Sequence, residues 1–391
     1  MKGGRALRYR AGVIGRTGRG GYGHSIDLAF QGMENVKVVA VADPDEEGAR
    51  QAAARTGAER TYRDYRDMLA RERLDLVAIC PRWCDERADM VVAAAEAGVK
   101  GILCEKPLAP TLADADRIVE ACQRYGVRMA VAHRRASGYE LHAKRLIEEG
   151  AIGPIRTMRG LGKGDHRAGA EDLAVLGTHI MDSMRFFAGS DVVWVFGHVT
   201  QDGRDVTPAD VKEGAEGIGL IAGNAVFAHF VFANGITATF ESFPSDRPGA
   251  DQFGLEIHGT RGIISVRNSP RGQMHLFPHG VFLPSDGEGR WQRILLDAWE
   301  RNEDGSPRSG KDWTHASNRL IAQELLRAIE EEREVQLASN PWDARAALEM
   351  IHAVHLSQRL GRRVRLPLER RTNPYEGWSA AETGAVEAGK A

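Results

Sequence analysis

Short runs of apolar, mostly β-branched residues alternate with amphipathic helical patterns through the first third of the chain. The apolar runs are almost continuous, which is typical of strands buried on both faces of a parallel sheet. Because each run leads into a helical pattern, we predict a doubly wound, Rossmann-type α/β domain over residues 1–132. The predicted strands are Tyr9–Gly15, Val36–Ala42, Leu74–Cys80, Val99–Cys104 and Val127–Ala132, and the predicted helices are Gly21–Gly32, Asp45–Thr56, Cys84–Ala97 and Thr111–Tyr125.

The strand–helix rhythm ends after residue 132, and longer strands with turn signals follow. Ala-Asn-Gly and Gly-Thr-Arg-Gly separate two pairs of apolar runs and predict two hairpins, because Asn and Gly accept positive φ. We therefore predict an α+β domain over residues 133–370, with an open-faced, mostly antiparallel sheet and helices on one face. The hairpin strands are Ala225–Phe232 with Ile236–Phe243 and Phe253–His258 with Gly262–Val266, and the helices are Gly138–Glu149, Asp172–Ala188, His315–Glu332 and Trp342–Leu360.

Both faces of the predicted strand Ala225–Phe232 carry apolar groups, since Phe227 and Val231 alternate with Ala228 and Phe230. A solvated face would be polar, so we expect this sheet to pack against another subunit in a homodimer or homotetramer. Residues 371–391 are polar and rich in alanine and glycine, and we predict a tail there.

Charge and cysteine usage limit the classes of partner and the cellular compartment that we expect for this protein. The 391 residues include 52 basic and 54 acidic ones, a net charge of −2, so the chain has no basic field for nucleic acid. Apolar runs stay below the ~20 residues that cross a bilayer, and Met1–Arg10 lacks the apolar core of a signal peptide. The four cysteines form neither a C-x-x-C pair nor a zinc spacing. We expect a soluble, cytoplasmic protein without a metal, nucleic-acid or membrane partner.

A glycine-rich turn after the first predicted strand is a candidate pyrophosphate site. Gly18-x-Gly20-x-x-Gly23 matches the dinucleotide fingerprint, in which bare N–H groups at the start of a helix bind phosphate. An ordinary strand–helix turn is the alternative that this pattern alone leaves open. The predicted cofactor-binding residues of the turn are Gly15, Arg16, Thr17, Gly18, Gly20 and Gly23.

Asp43 closes the second predicted strand and favours NAD over NADP. An acid there hydrogen-bonds the ribose hydroxyls and repels a 2′-phosphate, and a role in capping the next helix is compatible with that. NADP stays open as the alternative, because Arg16 and Arg19 lie close by and arginine accommodates a phosphate.

Lys106 stands between Glu105 and Pro107, directly after the predicted strand Val99–Cys104. Open α/β sheets bind ligands at the carboxyl ends of their strands, and the proline restricts the backbone before it. An ammonium held there can stabilise the alkoxide that develops when an alcohol is oxidised. We predict that Lys106 is catalytic and that Glu105 and Lys106 also contact the cofactor.

The glycine-rich turn, Asp43 and Glu105-Lys106-Pro107 resemble the Gfo/Idh/MocA oxidoreductases, named for glucose–fructose oxidoreductase and inositol dehydrogenase. Further matching segments are 149–155, Gly177-Thr178-His179-Ile180-Met181-Asp182 and Gly259-Thr260-Arg261-Gly262, so the resemblance covers roughly residues 8–366. It implies a Rossmann domain, an open-faced sheet domain that forms a dimer or tetramer, and hydride transfer between nicotinamide and a sugar or cyclitol hydroxyl.

His179 is the second catalytic candidate, because histidine is well matched to a base near neutral pH. A core histidine is the alternative, and the resemblance favours the base. Asp182 lies three residues further on and shares a helix face with His179, so it either orients the histidine or contacts substrate. The resemblance implies an aspartate four residues before the histidine, but Val175 stands there.

The remaining candidates lie near predicted loops. Asp165 and His166, in the glycine-rich segment Gly162–Gly169, are candidate substrate contacts, with a solvated loop as the alternative. Arg134 follows the last Rossmann strand and either binds polyol oxygens or packs between domains. Pro81 and Trp83 follow the third predicted strand, where Trp83 either packs on the cofactor or starts a helix.

Three functions remain open at this point. The leading one is an NAD(P)-dependent sugar, glycoside or inositol dehydrogenase. The alternative is a redox-assisted glycosidase or lyase, in which tightly bound NAD oxidises a hydroxyl, a glycosidic bond is eliminated and NAD is restored. A non-catalytic sugar-binding protein is the third, which Val175 alone favours and which Lys106 and His179 argue against.

Overall fold

The computed structural model describes residues 9–246, 252–268, 271–280 and 290–379. The chain divides into two compact units. The first contains the chain up to Ala136, together with residues 216–218 and 311–345. The second contains residues 137–215 and 219–310 and the chain from Ala346 onward.

Strands and helices are numbered along the chain. The strands are β1 (Tyr9–Ile14), β2 (Val36–Ala42), β3 (Arg60–Tyr62), β4 (Leu76–Ile79), β5 (Gly101–Cys104), β6 (Arg128–Val131), β7 (Ile155–Leu161), β8 (Val192–Gln201), β9 (Arg204–Asp205), β10 (Lys212–Glu213), β11 (Leu220–Ile221), β12 (Ala225–Phe232), β13 (Thr237–Ser242), β14 (Gly254–Gly259), β15 (Ile263–Arg267), β16 (Gln273–Phe277), β17 (Gln292–Ile294) and β18 (Val364–Arg365). The α-helices are α1 (Glu46–Thr56), α2 (Tyr65–Glu72), α3 (Arg87–Glu96), α4 (Leu112–Tyr125), α5 (Gly138–Glu148), α6 (Ala170–Val175), α7 (Gly177–Ala188), α8 (Asp297–Glu300), α9 (Asp312–Glu330) and α10 (Pro341–Leu360).

The first unit is built on a parallel sheet of six strands in the order β3-β2-β1-β4-β5-β6. Every residue of β4 and β5 is buried, as expected for strands covered on both faces. The strand order reverses between β1 and β4, and ligands bind outside the carboxyl ends of strands at such a point. The predicted Rossmann-type domain is confirmed.

The helix predicted over Gly21–Gly32 is wrong, because the structure has only a 3₁₀ turn at Ile26–Leu28. Gly20, Gly21 and Gly23 have φ angles of 85°, 55° and 61°, and Ser25 has a φ of 62°. Residues in this left-handed conformation cannot continue a right-handed helix. The backbone N–H groups of the loop, rather than the dipole of a regular helix, are therefore what it presents to an anion.

Helix α9 belongs to the first unit, whereas the sequence pattern assigns it to the second domain. It packs against β5 and β6, and Ile321, Leu325 and Ala328 join the core of the parallel sheet. Their spacing predicts an amphipathic helix correctly, but it carries no information about which sheet the apolar face covers.

The second unit contains a mixed, mostly antiparallel sheet in the order β17-β16-β15-β14-β7-β13-β12-β8-β18. Both predicted hairpins are confirmed as the antiparallel pairs β12–β13 and β14–β15. Helices α5 and α7 pack on this sheet. The register pairs Phe227 with His198 and His229 with Phe196, so these side chains share one face, on which Phe196 and Phe227 are exposed.

Residues 371–379 pack on the second unit instead of beginning the predicted tail. Tyr375 is buried, its ring stacks on Trp378 and its hydroxyl lies 3.1 Å from Nδ1 of His355 on α10. The composition of this segment is mostly polar, so the sequence pattern did not reveal that Tyr375 is buried and anchors it. Residues 380–391 of the predicted tail lie outside the described residues.

Within the described ranges, no helix is both long and apolar enough to cross a membrane. No group of three or more His, Cys, Asp and Glu side chains there could hold a metal ion. Cys80, Cys84, Cys104 and Cys122 are buried free thiols.

Candidate active site

The glycine-rich loop folds back on itself after β1. The backbone N–H of Gly21 donates to Arg16 O at 2.9 Å, and the N–H of Arg16 donates to Gly21 O at 3.1 Å. A Cβ at Gly20 would lie 2.6 Å from Arg82 N, and one at Gly23 would lie 2.5 Å from Cys80 O. These two glycines are therefore required for the close approach of the loop to the end of β4.

Two other glycines of the loop leave space for a ligand. Apart from the two chain neighbours of each glycine, no heavy atom of the described residues lies within 4 Å of the Cβ position of Gly18 or of Gly21. Bare backbone in left-handed conformation forms the kind of concave surface that holds phosphate. The loop thus fits the pyrophosphate of a dinucleotide.

Asp43 at the end of β2 is buried and holds this loop in place. Its carboxylate accepts hydrogen bonds from Thr17 N at 3.0 Å, Thr17 Oγ1 at 2.8 Å and Asp45 N at 3.0 Å. Tyr22 lies over Gly15, since a Cβ there would meet its ring at 2.2 Å. Burial and the neighbouring Asp43 raise the pKa of Tyr22. Asp43 therefore has a structural partner in Thr17, and its contact with a ribose stays a prediction.

The two arginines of the loop form ion pairs with carboxylates of the segment just before α3. Arg16 forms an ion pair with Glu86, and Arg19 forms one with Asp85. The guanidinium of Arg19 also lies over the ring of Trp83, 4.8 Å from its centroid. Arginines paired in this way are poorly placed to receive a 2′-phosphate, which favours NAD over NADP.

Glu105 and Lys106 follow β5 and are both buried. Glu105 Oε1 accepts from His24 N at 2.9 Å and lies 2.5 Å from His24 Nδ1, and Glu105 Oε2 accepts from Lys106 N at 2.7 Å. Burial alone would raise the pKa of Glu105, but His24 and Lys106 outweigh it and hold that pKa well below its usual range. Glu105 is therefore a fixed anion beside the lysine.

Arg87, the first residue of α3, fixes the same strand end from inside the protein. Its buried guanidinium donates to Glu105 O at 2.7 Å and also to Pro107 O and Pro81 O. A buried carbonyl group without a partner is costly, so these bonds stabilise the irregular backbone around Lys106. They also give Pro81 a backbone role next to this strand end.

Lys106 is held in a charged environment that sets its protonation. Burial lowers the pKa of its ammonium, and the carboxylates of Glu105 and Glu216 oppose this, while Arg134 and Arg87 lower it further. A lysine with a lowered pKa can hold or release a proton closer to neutral pH. The first unit thus brings together Lys106, Glu105 and Arg134 from the predicted set.

His179 and Asp182 lie on α7 of the second unit, one turn apart, and both are buried. The ring of His179 meets Phe253 edge-on, with centroids 6.3 Å apart. The position four residues before His179, where the resemblance implies an aspartate, is occupied by Val175, which is buried at the end of α6. The three-residue spacing places the buried histidine and the buried carboxylate on one face of α7, and their catalytic role stays a prediction.

The glycine-rich loop Gly162–Gly169 of the second unit is held by the carboxylate of Asp172, a role that the sequence did not indicate. Asp172 Oδ2 accepts from Lys163 N at 2.8 Å and Ser242 Oγ at 2.6 Å. Burial raises the pKa of Asp172. Within the loop, Asp165 bonds to Arg167, and the side chain of His166 is 84% exposed.

Two family models match this chain. "Oxidoreductase family, NAD-binding Rossmann fold" matches residues 9–133, and "GFO/IDH/MocA C-terminal domain" matches residues 141–265. The chain belongs to the Gfo/Idh/MocA oxidoreductase family. Its first unit accordingly contains an NAD-binding domain.

Relatives of this Gfo/Idh/MocA protein include sugar dehydrogenases. D-apiose dehydrogenase of Paraburkholderia graminis is 30% identical over 63% of this chain and 65% of its own length. Levoglucosan dehydrogenase of Pseudarthrobacter phenanthrenivorans is 29% identical over 67% of this chain and 75% of its own length. A solved levoglucosan dehydrogenase with NADH and L-sorbose has the same fold, with a TM-score of 0.73 at 22% identity over 92% of this chain and 99% of that one.

Sequence reasoning missed three residues of the first unit that surround Lys106. Arg87 and Glu216 lie in segments without any motif, and only the fold brings them to the strand end. His24 directly follows the glycine loop, so its position beside the predicted cofactor-binding turn is a signal that the sequence offers.

Proposed function

We propose that this Gfo/Idh/MocA protein is an NAD-dependent oxidoreductase that transfers a hydride between nicotinamide and a carbinol carbon of a sugar, glycoside or inositol. The observation that carries the proposal is Lys106, a buried ammonium at the carboxyl end of β5 in an NAD-binding domain. Relatives named as apiose, levoglucosan and inositol dehydrogenases support this substrate class.

Oxidation of an alcohol requires a proton acceptor and a cation at the oxygen that becomes negative. The chemistry that NAD supplies when bound is acceptance of the hydride. We assign Lys106 Nζ to the substrate oxygen, where its lowered pKa suits it to share the hydroxyl proton. We assign His179 as the base and Asp182 as its orienting or substrate-binding partner. Arg134, Asp165 and His166 are proposed contacts of further substrate hydroxyls.

The test is absorbance at 340 nm with NAD⁺ or NADP⁺ and a set of polyols that includes myo-inositol, levoglucosan and D-apiose. Lys106→Met is expected to lower kcat/KM by about 10²–10³, the size of a lost oxyanion-stabilising group. Lys100→Met is the matched control, because Lys100 lies just before β5 and its side chain is 57% exposed. Equal rates in the two variants would contradict the proposal. Faster turnover with NADP⁺ than with NAD⁺ would contradict the cofactor preference.

We further propose that subunits associate through the exposed face of the second unit's sheet and that the protein acts in the cytoplasm. Phe196 and Phe227 are exposed on a face that also carries Trp194 and His229, whose rings lie 5.4 Å apart. Exposed aromatic groups in one patch are typical of an interaction surface. The four free thiols suit a reducing compartment.

A further inference from the structure

Residues 216–218 belong to the first unit, although the chain on either side belongs to the second. Glu216 has φ 57° and ψ 20°, a left-handed conformation that is uncommon for a residue with a Cβ. Strain of this kind persists only where surrounding contacts enforce it, and it is concentrated at functional sites. The contacts of this tripeptide therefore need an explanation.

The backbone of the tripeptide is fixed against the segment between β4 and α3. Cys84 N donates to Glu216 O at 3.0 Å, and the thiol of Cys84 donates to Gly217 O at 3.3 Å. A Cβ at Gly217 would lie 3.0 Å from Asp85 Oδ1, so the glycine permits the close approach. The fold thus holds Glu216 in one place near the carboxyl end of the parallel sheet.

The two carboxylate oxygens of Glu216 differ in their contacts among the described residues. Oε1 lies 3.5 Å from Arg82 Nη1. Oε2 is buried, and among the described residues nothing donates a hydrogen bond to it. The side chain as a whole is 14% exposed. A buried carboxylate oxygen is unfavourable without a donor, so this oxygen is an acceptor that a ligand hydroxyl could satisfy.

The charged groups that act most strongly on the pKa of Lys106 are the carboxylates of Glu105 and Glu216 and the guanidiniums of Arg134 and Arg87. Glu105 already accepts hydrogen bonds from His24 and from the backbone of Lys106. Glu216 is therefore the carboxylate of this set that retains an acceptor for a ligand.

We propose that Glu216 is a substrate-binding residue, whose Oε2 accepts a hydrogen bond from a hydroxyl of the polyol that Lys106 also contacts. This inference rests on the proposed function. A sugar or cyclitol offers neighbouring hydroxyls, so one oxygen can meet the ammonium while the next hydroxyl donates to the carboxylate. An O–H···O⁻ bond of this kind is among the stronger neutral-to-charged contacts and discriminates against deoxy analogues.

Glu216→Gln tests the proposal, with Glu213→Gln as the matched control, since Glu213 is an exposed residue of β10 three positions away. Fluorescence titration with NADH and the urea midpoint report whether each variant is folded. Calorimetry with the NADH-loaded proteins measures polyol binding, and absorbance at 340 nm measures turnover of the same polyols. E216Q is expected to keep its NADH affinity and to lose roughly tenfold to a hundredfold in polyol affinity and kcat/KM, the range of a lost charged hydrogen bond. E213Q is expected to match the wild type.

The other outcomes separate this inference from the proposed function. If the wild type turns over a polyol and E216Q matches it, the inference is overturned and the dehydrogenase stands. If the wild type binds a polyol without reducing NAD⁺ and E216Q loses that binding, the inference stands and the dehydrogenase is overturned. If the wild type neither binds nor oxidises any polyol of the set, both are overturned.

Discussion

At the residue scale, the strand end that carries Lys106 depends on Arg87, a side chain that forms no part of the proposed chemistry. One guanidinium donates to carbonyl groups on both sides of the lysine and to Pro81. Five fixed N–H donors on a planar group allow arginine to bind several carbonyls at once, and lysine cannot reproduce this geometry.

Arg87→Met should lower the free energy of unfolding by about 3–5 kcal/mol, because it leaves several buried carbonyl groups without donors. Urea denaturation measures the loss. Arg66→Met is the control, since that side chain is 61% exposed on α2, and its cost should stay below about 0.5 kcal/mol. Similar urea midpoints in the two variants would show that Arg87 does not support the strand end.

The residues of the candidate site were predictable only where local sequence carries chemistry. Lys106 between an acid and a proline is such a place, and Asp43 at the end of a strand is another. Glu216 lies 110 positions from Lys106 in the chain, and no local pattern connects the two. Arg87 begins an ordinary helix, so its inward direction emerges only when α3 is packed on the sheet.

At the element scale, a row of opposite charges crosses the sheet of the second unit. Arg159 on β7 donates to Glu241 on β13 at 2.6 Å, and Arg267 on β15 donates to Glu256 on β14 at 3.0 Å. The register places Glu256 directly opposite Arg159. Cross-strand pairs of opposite charge stabilise a sheet and help to fix its register.

This row makes a prediction for acid. His258 and Arg267 lower the pKa of Glu256 to about 2 from an ordinary value of 4.5. A carboxyl group whose pKa is lower in the folded state stabilises that state at any pH above its pKa in the unfolded chain. This contribution is lost as the pH falls through its pKa in the folded state. Glu256→Gln should therefore cost about 1–2 kcal/mol at pH 7, after allowance for solvent screening, and progressively less from pH 4.5 towards pH 2.

Urea midpoints of Glu256→Gln and the wild type at pH 7, 5, 4 and 3 check this expectation. Glu213→Gln serves as a control for loss of an exposed carboxylate in the same unit. A gap between Glu256→Gln and the wild type that is constant over this range would rule out Glu256 as the titrating group.

Many elements with a strong apolar pattern were predictable, but the ten-residue strand β8 was not predicted although it carries one. The four-residue strands β4 and β5 are wholly buried and stand out in the sequence. Strand β3 is a three-residue, largely exposed edge strand, and the helical apolar spacing of α2 is limited to Tyr65, Met68 and Leu69, so both patterns are too short to stand out. The false helix at Gly21–Gly32 has the opposite cause, since its apolar spacing is acceptable but its glycines adopt positive φ.

At the scale of the whole molecule, the exposed aromatic face of the second unit's sheet makes the proposed association testable. Phe227→Glu should shift the protein towards the monomer in sedimentation velocity, because burial of a carboxylate in an apolar contact is unfavourable. Leu337→Glu is the control, since Leu337 is an equally exposed apolar side chain of the first unit. A wild type that sediments as a monomer at micromolar concentration would contradict the association itself.

The three separate stretches of the first unit have a consequence for its synthesis. A ribosome delivers the chain from the N-terminus at about 5–20 residues per second. Strands β1–β6 emerge early, but α9, which covers β5 and β6, emerges only after β7–β17 have been made. During that interval the nascent sheet exposes apolar surface to solvent. The dependence of this protein on chaperones should therefore be set by the speed of translation between residues 137 and 311, because β5 and β6 stay uncovered during that time.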